Sequence, residues 1–242
     1  MSRKIDVIAT PDQLTPRLLI GRTVVIFDVL RATTSIATAL ANGSDHVEVH
    51  GSLDDARAST IGDGTAVLAG ERECLPPPGF DLGNSPAGFT AERVAGKRVV
   101  LTTSNGTRAI LAAGSAAHRF TAAMVNARAT AEAVLKLDTP ITLLCAGTDG
   151  EDALEDWLGA GALLRHLRNE VEPESDRVLS AALLFESCVD RLPALMSATR
   201  GGRNVILAGL ADDIAAACQL DIISGVNRVE ADGDRTIIRQ SD

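Results

Sequence analysis

Short apolar runs alternate along the chain with polar turns and amphipathic stretches. TVVIFDV (23–29) is continuous, β-branched and short, which predicts a buried strand. TTSIATALA (33–41) then reads as a helix stopped by Asn42-Gly43. HVEVH (46–50) alternates like a strand, and SLDDARAST (52–60) reads as a helix capped by Ser52. TAVLAG (65–70) is the next strand. ERECLPPPGFDLGNSPAG (71–88) carries three consecutive prolines and several glycines, so it predicts a long irregular loop. A loop of that length inside a compact domain is more often functional than idle.

The alternation resumes beyond the loop. KRVVLTT (97–103) and ITLLCAG (141–147) predict strands; TRAILAAG (107–114), NARATAEAVLKL (126–137) and DALEDWLGAGALLRHLRN (152–169) predict helices. Residues 174–220 read as mostly helical, and NRVEADGDRTIIR (227–239) as a closing hairpin around Asp232-Gly233. The order predicts an α/β layered fold with a largely parallel or mixed sheet flanked by helices. No low-complexity linker divides it. Residues 1–242 read as a single compact unit, with lobes of about 1–120 and 121–242 as a further subdivision.

Composition narrows the classes. The 242 residues can bury a substantial core, and 45% hydrophobic with 23% charged residues fits a globular chain. No apolar run suits a membrane span, and MSRKIDVIATPDQ lacks an apolar signal core, so a cytoplasmic protein is expected. The net charge is −9, aromatics are 2% and no basic tract stands out, which disfavours nucleic acid. An anionic ligand would need local help from arginines, helix N-termini or a divalent cation. Cysteines 74, 145, 188 and 218 form no C-x-x-C pair. The chain also lacks an H-E-x-x-H, a G-x-S-x-G elbow and a nucleotide P-loop.

One theme recurs at 24–43, 97–114 and 141–165: a strand ends, a polar turn follows, a helix begins. Ligands of such folds bind beyond the carboxyl ends of strands. The first turn holds Asp28, Arg31, Thr33 and Thr34. The second holds Ser104, Asn105, Gly106, Thr107 and Arg108, which suit an anion or form an ordinary helix cap. Glu71 follows a strand directly; it can ligate a hard cation or form a surface ion pair with Arg72. Asp152, Glu155 and Asp156 crowd one helix start, where a metal would relieve their repulsion and the helix dipole would also favour them.

Six stretches in this order resemble the 2-phosphosulfolactate phosphatase (ComB) family: DVLRATTSIATALANG (28–43), LAGER (68–72), GFDLGNSP (79–86), LTTSNGTRA (101–109), CAGTDGEDALEDWLGAG (145–161) and GRNVILAGLADDI (202–214). ECLPPPGF (73–80) departs from the family as a proline-rich connector. The resemblance implies a Mg2+-dependent phosphatase that converts 2-phospho-3-sulfolactate to 3-sulfolactate and phosphate, a step of coenzyme M biosynthesis where that pathway exists. It implies that Asp28 and Glu71, with Asp156, hold Mg2+. Arg31, Thr33, Thr34, Ser104, Asn105, Gly106 and Thr107 would then hold the phosphate. Arg72, Arg108 and Arg203 would add charge for a small substrate bearing phosphate, carboxylate and sulfonate. A homo-oligomer is the family-level expectation.

Two rivals use the same turns. An aspartyl-nucleophile phosphatase would place its nucleophile at Asp28, but its second Asp, two residues on, is Leu30 here. A non-catalytic module would bind a small phosphorylated metabolite without releasing phosphate.

Overall fold

A computed structural model describes residues 3–167 and 169–241. The strands are β1 (Arg3–Ile8), β2 (Thr23–Phe27), β3 (His46–Val49), β4 (Val67–Gly70), β5 (Arg98–Thr102), β6 (His118–Thr121), β7 (Ile141–Cys145), β8 (Val171–Pro173), β9 (Val226–Asp232) and β10 (Arg235–Ser241). They form one mixed sheet in the order β4-β5-β3-β10-β9-β6-β2-β7-β1-β8. β4, β5 and β3 run parallel, as do β6, β2, β7, β1 and β8. The β9–β10 hairpin joins these two parallel blocks through antiparallel pairings of β10 with β3 and β9 with β6. Its turn has Gly233 at φ 62°, as Asp232-Gly233 predicts.

β2 shows why its sequence is apolar without a break. Val25 and Phe27 enter one core with β1, β7 and the helices Ala127–Leu135, Leu154–Leu167 and Asp176–Cys188. Val24 and Ile26 enter the other with the helices Ala32–Ala41 and Gly106–Ala112. Successive side chains of a strand face opposite ways, so a strand covered on both sides must be apolar throughout.

The predicted elements recur with ends moved by a residue or two. The helix expected over 152–169 runs Leu154–Leu167, and residue 168 lies outside the described residues. Ser52 caps its helix by accepting the Asp55 N–H. β1, β6 and β8 have no counterpart in the pattern reading. β6 (HRFT) has three polar residues of four, and β8 is a three-residue edge strand that contains Pro173. Among the described residues, no helix is long and apolar enough to cross a membrane.

The topology places the site. The chain leaves β2 in one block for β3 in the other, and returns from β5 to β6. The turns after β2, β4, β5 and β7 therefore come together at the carboxyl ends of strands from both blocks.

Candidate active site

A cavity of about 540 Å³ opens at those strand ends, lined by residues of all four turns and of the helix Arg200–Leu207. Its polar wall includes Asp28, Arg31, Glu71, Asn84, Ser104 and Asn105, while Leu30, Leu75, Val205 and Leu207 give an apolar one.

Asp28 follows β2 directly and is 7% exposed. Its Oδ1 accepts the Ala32 N–H at 3.2 Å. A Cβ on Gly106 would lie 2.5 Å from Asp28 Oδ2, so the glycine there permits the close approach of the second turn to the first. Burial pushes Asp28 up to about 7; the Ala32 N–H opposes this, and the charges of Glu71 and Glu155 add to it. Glu71 spans two loops, since Oε1 accepts the Ser104 N–H at 2.7 Å and Oε2 the Cys74 N–H at 3.1 Å. Arg31 is held in the wall by Asp213 (2.7 Å) and by the Cys74 carbonyl (2.6 Å). Asn105 lines the cavity and accepts the Asp149 N–H on its Oδ1 at 3.3 Å.

Other predicted residues stand elsewhere. Thr33 and Thr34 are buried and donate to their own turn, to the carbonyls of Asp28 (2.9 Å) and Val29 (2.8 Å). Thr107 donates to the Thr103 carbonyl and its N–H is received by the Thr103 hydroxyl, a local cap. Asp156 does not line the cavity; its two oxygens accept the N–H groups of Val29 (2.8 Å) and Gly147 (3.0 Å), tying the β2 and β7 turns together. Burial raises Asp156 well above the carboxylate range, and Asp28 and Glu155 push the same way. Arg72 donates to the Glu71 carbonyl, the exposed Arg108 pairs with Asp12, and the exposed Arg203 donates to the Ala198 carbonyl. None of these three lines the cavity. The reserve of arginines expected from their closeness to motif turns in the sequence is thus absent. Arg31 is the one cationic side chain in the described lining, against the carboxylates of Asp28, Glu71, Glu73 and Asp149.

Several residues escaped the sequence reading. Glu73 and Cys74 enter the wall through a turn in which both take positive φ (52° and 68°), with no glycine to signal it. Glu155, by contrast, was singled out in the sequence with Asp152 and Asp156; it is 2% exposed, its Oε2 has no hydrogen-bond partner among the described residues, and its Oε1 lies where a Cβ on Gly201 would meet it. Asp213 reaches the site from the far end of the chain, and its only signal was membership of the last of the six stretches.

For a hard divalent cation the donor chemistry fits. Asp28 and Glu71 are cavity-lining carboxylates, the charges of Glu71 and Glu155 both act to raise Asp28, and Glu155 Oε2 is a buried oxygen with no hydrogen-bond partner among the described residues. Among the described residues, no group of three or more His, Cys, Asp or Glu side chains is placed to hold a metal ion, so a cation here would rest on Asp28 and Glu71 with water filling the other positions.

Sheet, cavity and turns define an α/β protein with a small-molecule site at the seam of two parallel blocks. The family model for 2-phosphosulpholactate phosphatase matches residues 8–232, and the chain belongs to that family. It is 38% identical over 210 residues to a probable 2-phosphosulfolactate phosphatase of Symbiobacterium thermophilum, covering 85% of this chain and 90% of the relative. It is 35% identical over 240 residues to one of Carboxydothermus hydrogenoformans, with 98% of each covered. For one of Gloeobacter violaceus the figures are 37% over 212 residues, 86% and 89%.

Proposed function

We propose that this chain hydrolyses the phosphomonoester of 2-phospho-3-sulfolactate, releasing 3-sulfolactate and inorganic phosphate. The carrying observation is the strand-end cavity lined by Asp28, Arg31, Glu71, Ser104 and Asn105 in a chain of this family. The reaction breaks the bond between phosphorus and the C2 oxygen. Water supplies the new oxygen on phosphorus, and the departing oxygen takes up a proton. Leu30, at the position where an aspartyl-nucleophile phosphatase carries its second acid, forms part of the apolar wall instead. That favours water over Asp28 as the nucleophile.

The substrate would carry phosphate, carboxylate and sulfonate into a wall where Asp28, Glu71 and Glu73 face one guanidinium, Arg31, and where Asp149 is already paired with Arg200 at 2.8 Å. Like charges at such range repel strongly, so a counter-cation is required for binding. Asp28 and Glu71 would hold Mg2+, with the carboxylate of Asp156 fixing the β2 turn behind Asp28. A bound Mg2+ supplies positive charge to the phosphoryl oxygens as negative charge builds on them. Arg31, the Ser104 hydroxyl and the Asn105 amide bind and orient the phosphate. The apolar wall of Leu30, Val205 and Leu207 limits water around the bound ester.

The enzyme would act in the cytoplasm on a small metabolite rather than nucleic acid, within coenzyme M biosynthesis where a host has that pathway. We further propose that the chain self-associates, as the family-level expectation has it. The test is phosphate release from a panel of phosphorylated 2-hydroxy acids. 2-Phospho-3-sulfolactate should be turned over with a far higher kcat/KM than phospholactate, which lacks the sulfonate. Equal values would point to an unselective phosphatase, and no release from any member to a binding module.

A further inference from the structure

Arg31 is the cationic residue of the cavity wall, yet its side chain is only 2% exposed. A long side chain at that depth needs fixed partners if its remaining N–H groups are to meet a ligand in a set geometry. The structure provides two. Asp213 Oδ2 accepts from one terminal nitrogen at 2.7 Å, and the Cys74 carbonyl accepts from the other at 2.6 Å. A planar guanidinium gripped at both terminal nitrogens has its plane set.

Asp213 has no freedom of its own. Its side chain is 4% exposed, and its second oxygen accepts the Ser85 hydroxyl at 2.5 Å. Ser85 directly follows Asn84, which lines the cavity and whose carbonyl accepts the Ser35 hydroxyl at 2.8 Å. Asp213 thus fixes Arg31 with one oxygen and the Asn84 segment with the other. A buried ion pair is weak evidence for added stability, because desolvation offsets most of its attraction. Its best-attested use is to fix one arrangement among several.

We propose that Asp213 is a positioning residue that sets the guanidinium plane of Arg31 for the phosphate-bearing substrate and locks the Ser85 segment against it. This rests on the reading of Arg31 as an anion-binding group. Misplacing such a group by about 1 Å can cost roughly 10² in rate. Because Asp213 works through Arg31, its removal should matter only while Arg31 is present.

The test is a double-mutant cycle on phosphate release from 2-phospho-3-sulfolactate. Asp213→Asn should lower kcat/KM by roughly ten- to a hundredfold, mainly in kcat. Arg31→Ala should lower it by roughly 10²–10³, and the double variant should be no worse than Arg31→Ala alone. Ser85→Ala should give a smaller loss that also vanishes in the Arg31→Ala background, and it carries the test if Asp213→Asn does not fold. Arg31→Ala impaired with Asp213→Asn and Ser85→Ala normal would overturn the positioning role alone. Losses that multiply in the double variant would assign Asp213 a separate structural part and overturn it too. Normal kinetics in Arg31→Ala would overturn the anion-binding reading, and the positioning role with it.

Discussion

The turn after β2 and the turn after β5 share one plan of strand, hydroxyl-rich turn and helix, yet they are used differently. In the first, the hydroxyls of Thr33, Thr34 and Ser35 all donate to backbone carbonyls, two of them within the turn and one on Asn84. Asp156 closes it from behind through the Val29 N–H. What this turn offers the cavity is its acid and its arginine. In the second, Thr103 and Thr107 satisfy each other, which leaves Ser104 and Asn105 at the cavity wall. Buried hydroxyls must find partners, and those enclosed by packing take the nearest carbonyl. Exposure to the cavity therefore decides which hydroxyl-rich turn can serve a ligand.

Substitutions can break this comparison. Asp28→Asn should have the largest effect, lowering kcat/KM on the order of 10³, since it removes charge from the cavity acid. Titration calorimetry should show weakened Mg2+ binding in the same variant. Asn105→Ala should lower kcat/KM by roughly 10²–10³ while leaving the fold intact, because its side chain lines the cavity. Steady-state kinetics with a parallel thermal melt separates the two effects. Thr34→Val should do the reverse. It loses the bond to the Val29 carbonyl, costing about 1 kcal/mol in a urea melt, with kinetics changed by less than about threefold.

Stability should also depend on pH. Asp28 lies at about 7 in the folded chain, against an ordinary 3.8. The folded state therefore holds this proton more tightly than the unfolded state. The resulting stability is full below 3.8 and is lost as pH rises through about 7. Without divalent cations, the melting temperature of wild type should fall more across that window than that of Asp28→Asn. Parallel melting curves of the two check it.

Much of the fold was legible because its central strands are apolar on both faces. β2, β5 and β7 announce themselves as short β-branched runs, and Asp232-Gly233 marks the hairpin. β6 was not legible, since His118 and Arg119 gain their strand only by pairing with Thr23 and Val24 of β2. The site was half legible for a related reason. Position after a strand end pointed to Asp28, Glu71, Ser104 and Asn105, all of which line the cavity. Neighbourhood in sequence failed for Arg72, Arg108 and Arg203, whose side chains leave the motif turns for other partners. It was silent on Asp213, which meets Arg31 across 182 positions of chain.

Under the proposed function, the acidic cavity should work only with a divalent cation held at its strand-end carboxylates. Phosphate release from 2-phospho-3-sulfolactate, followed before and after exhaustive chelation and again with Mg2+ restored, tests it most directly. Chelation should abolish turnover and Mg2+ should restore it in wild type, with little recovery in Asp28→Asn. Full turnover by the chelated enzyme would contradict it.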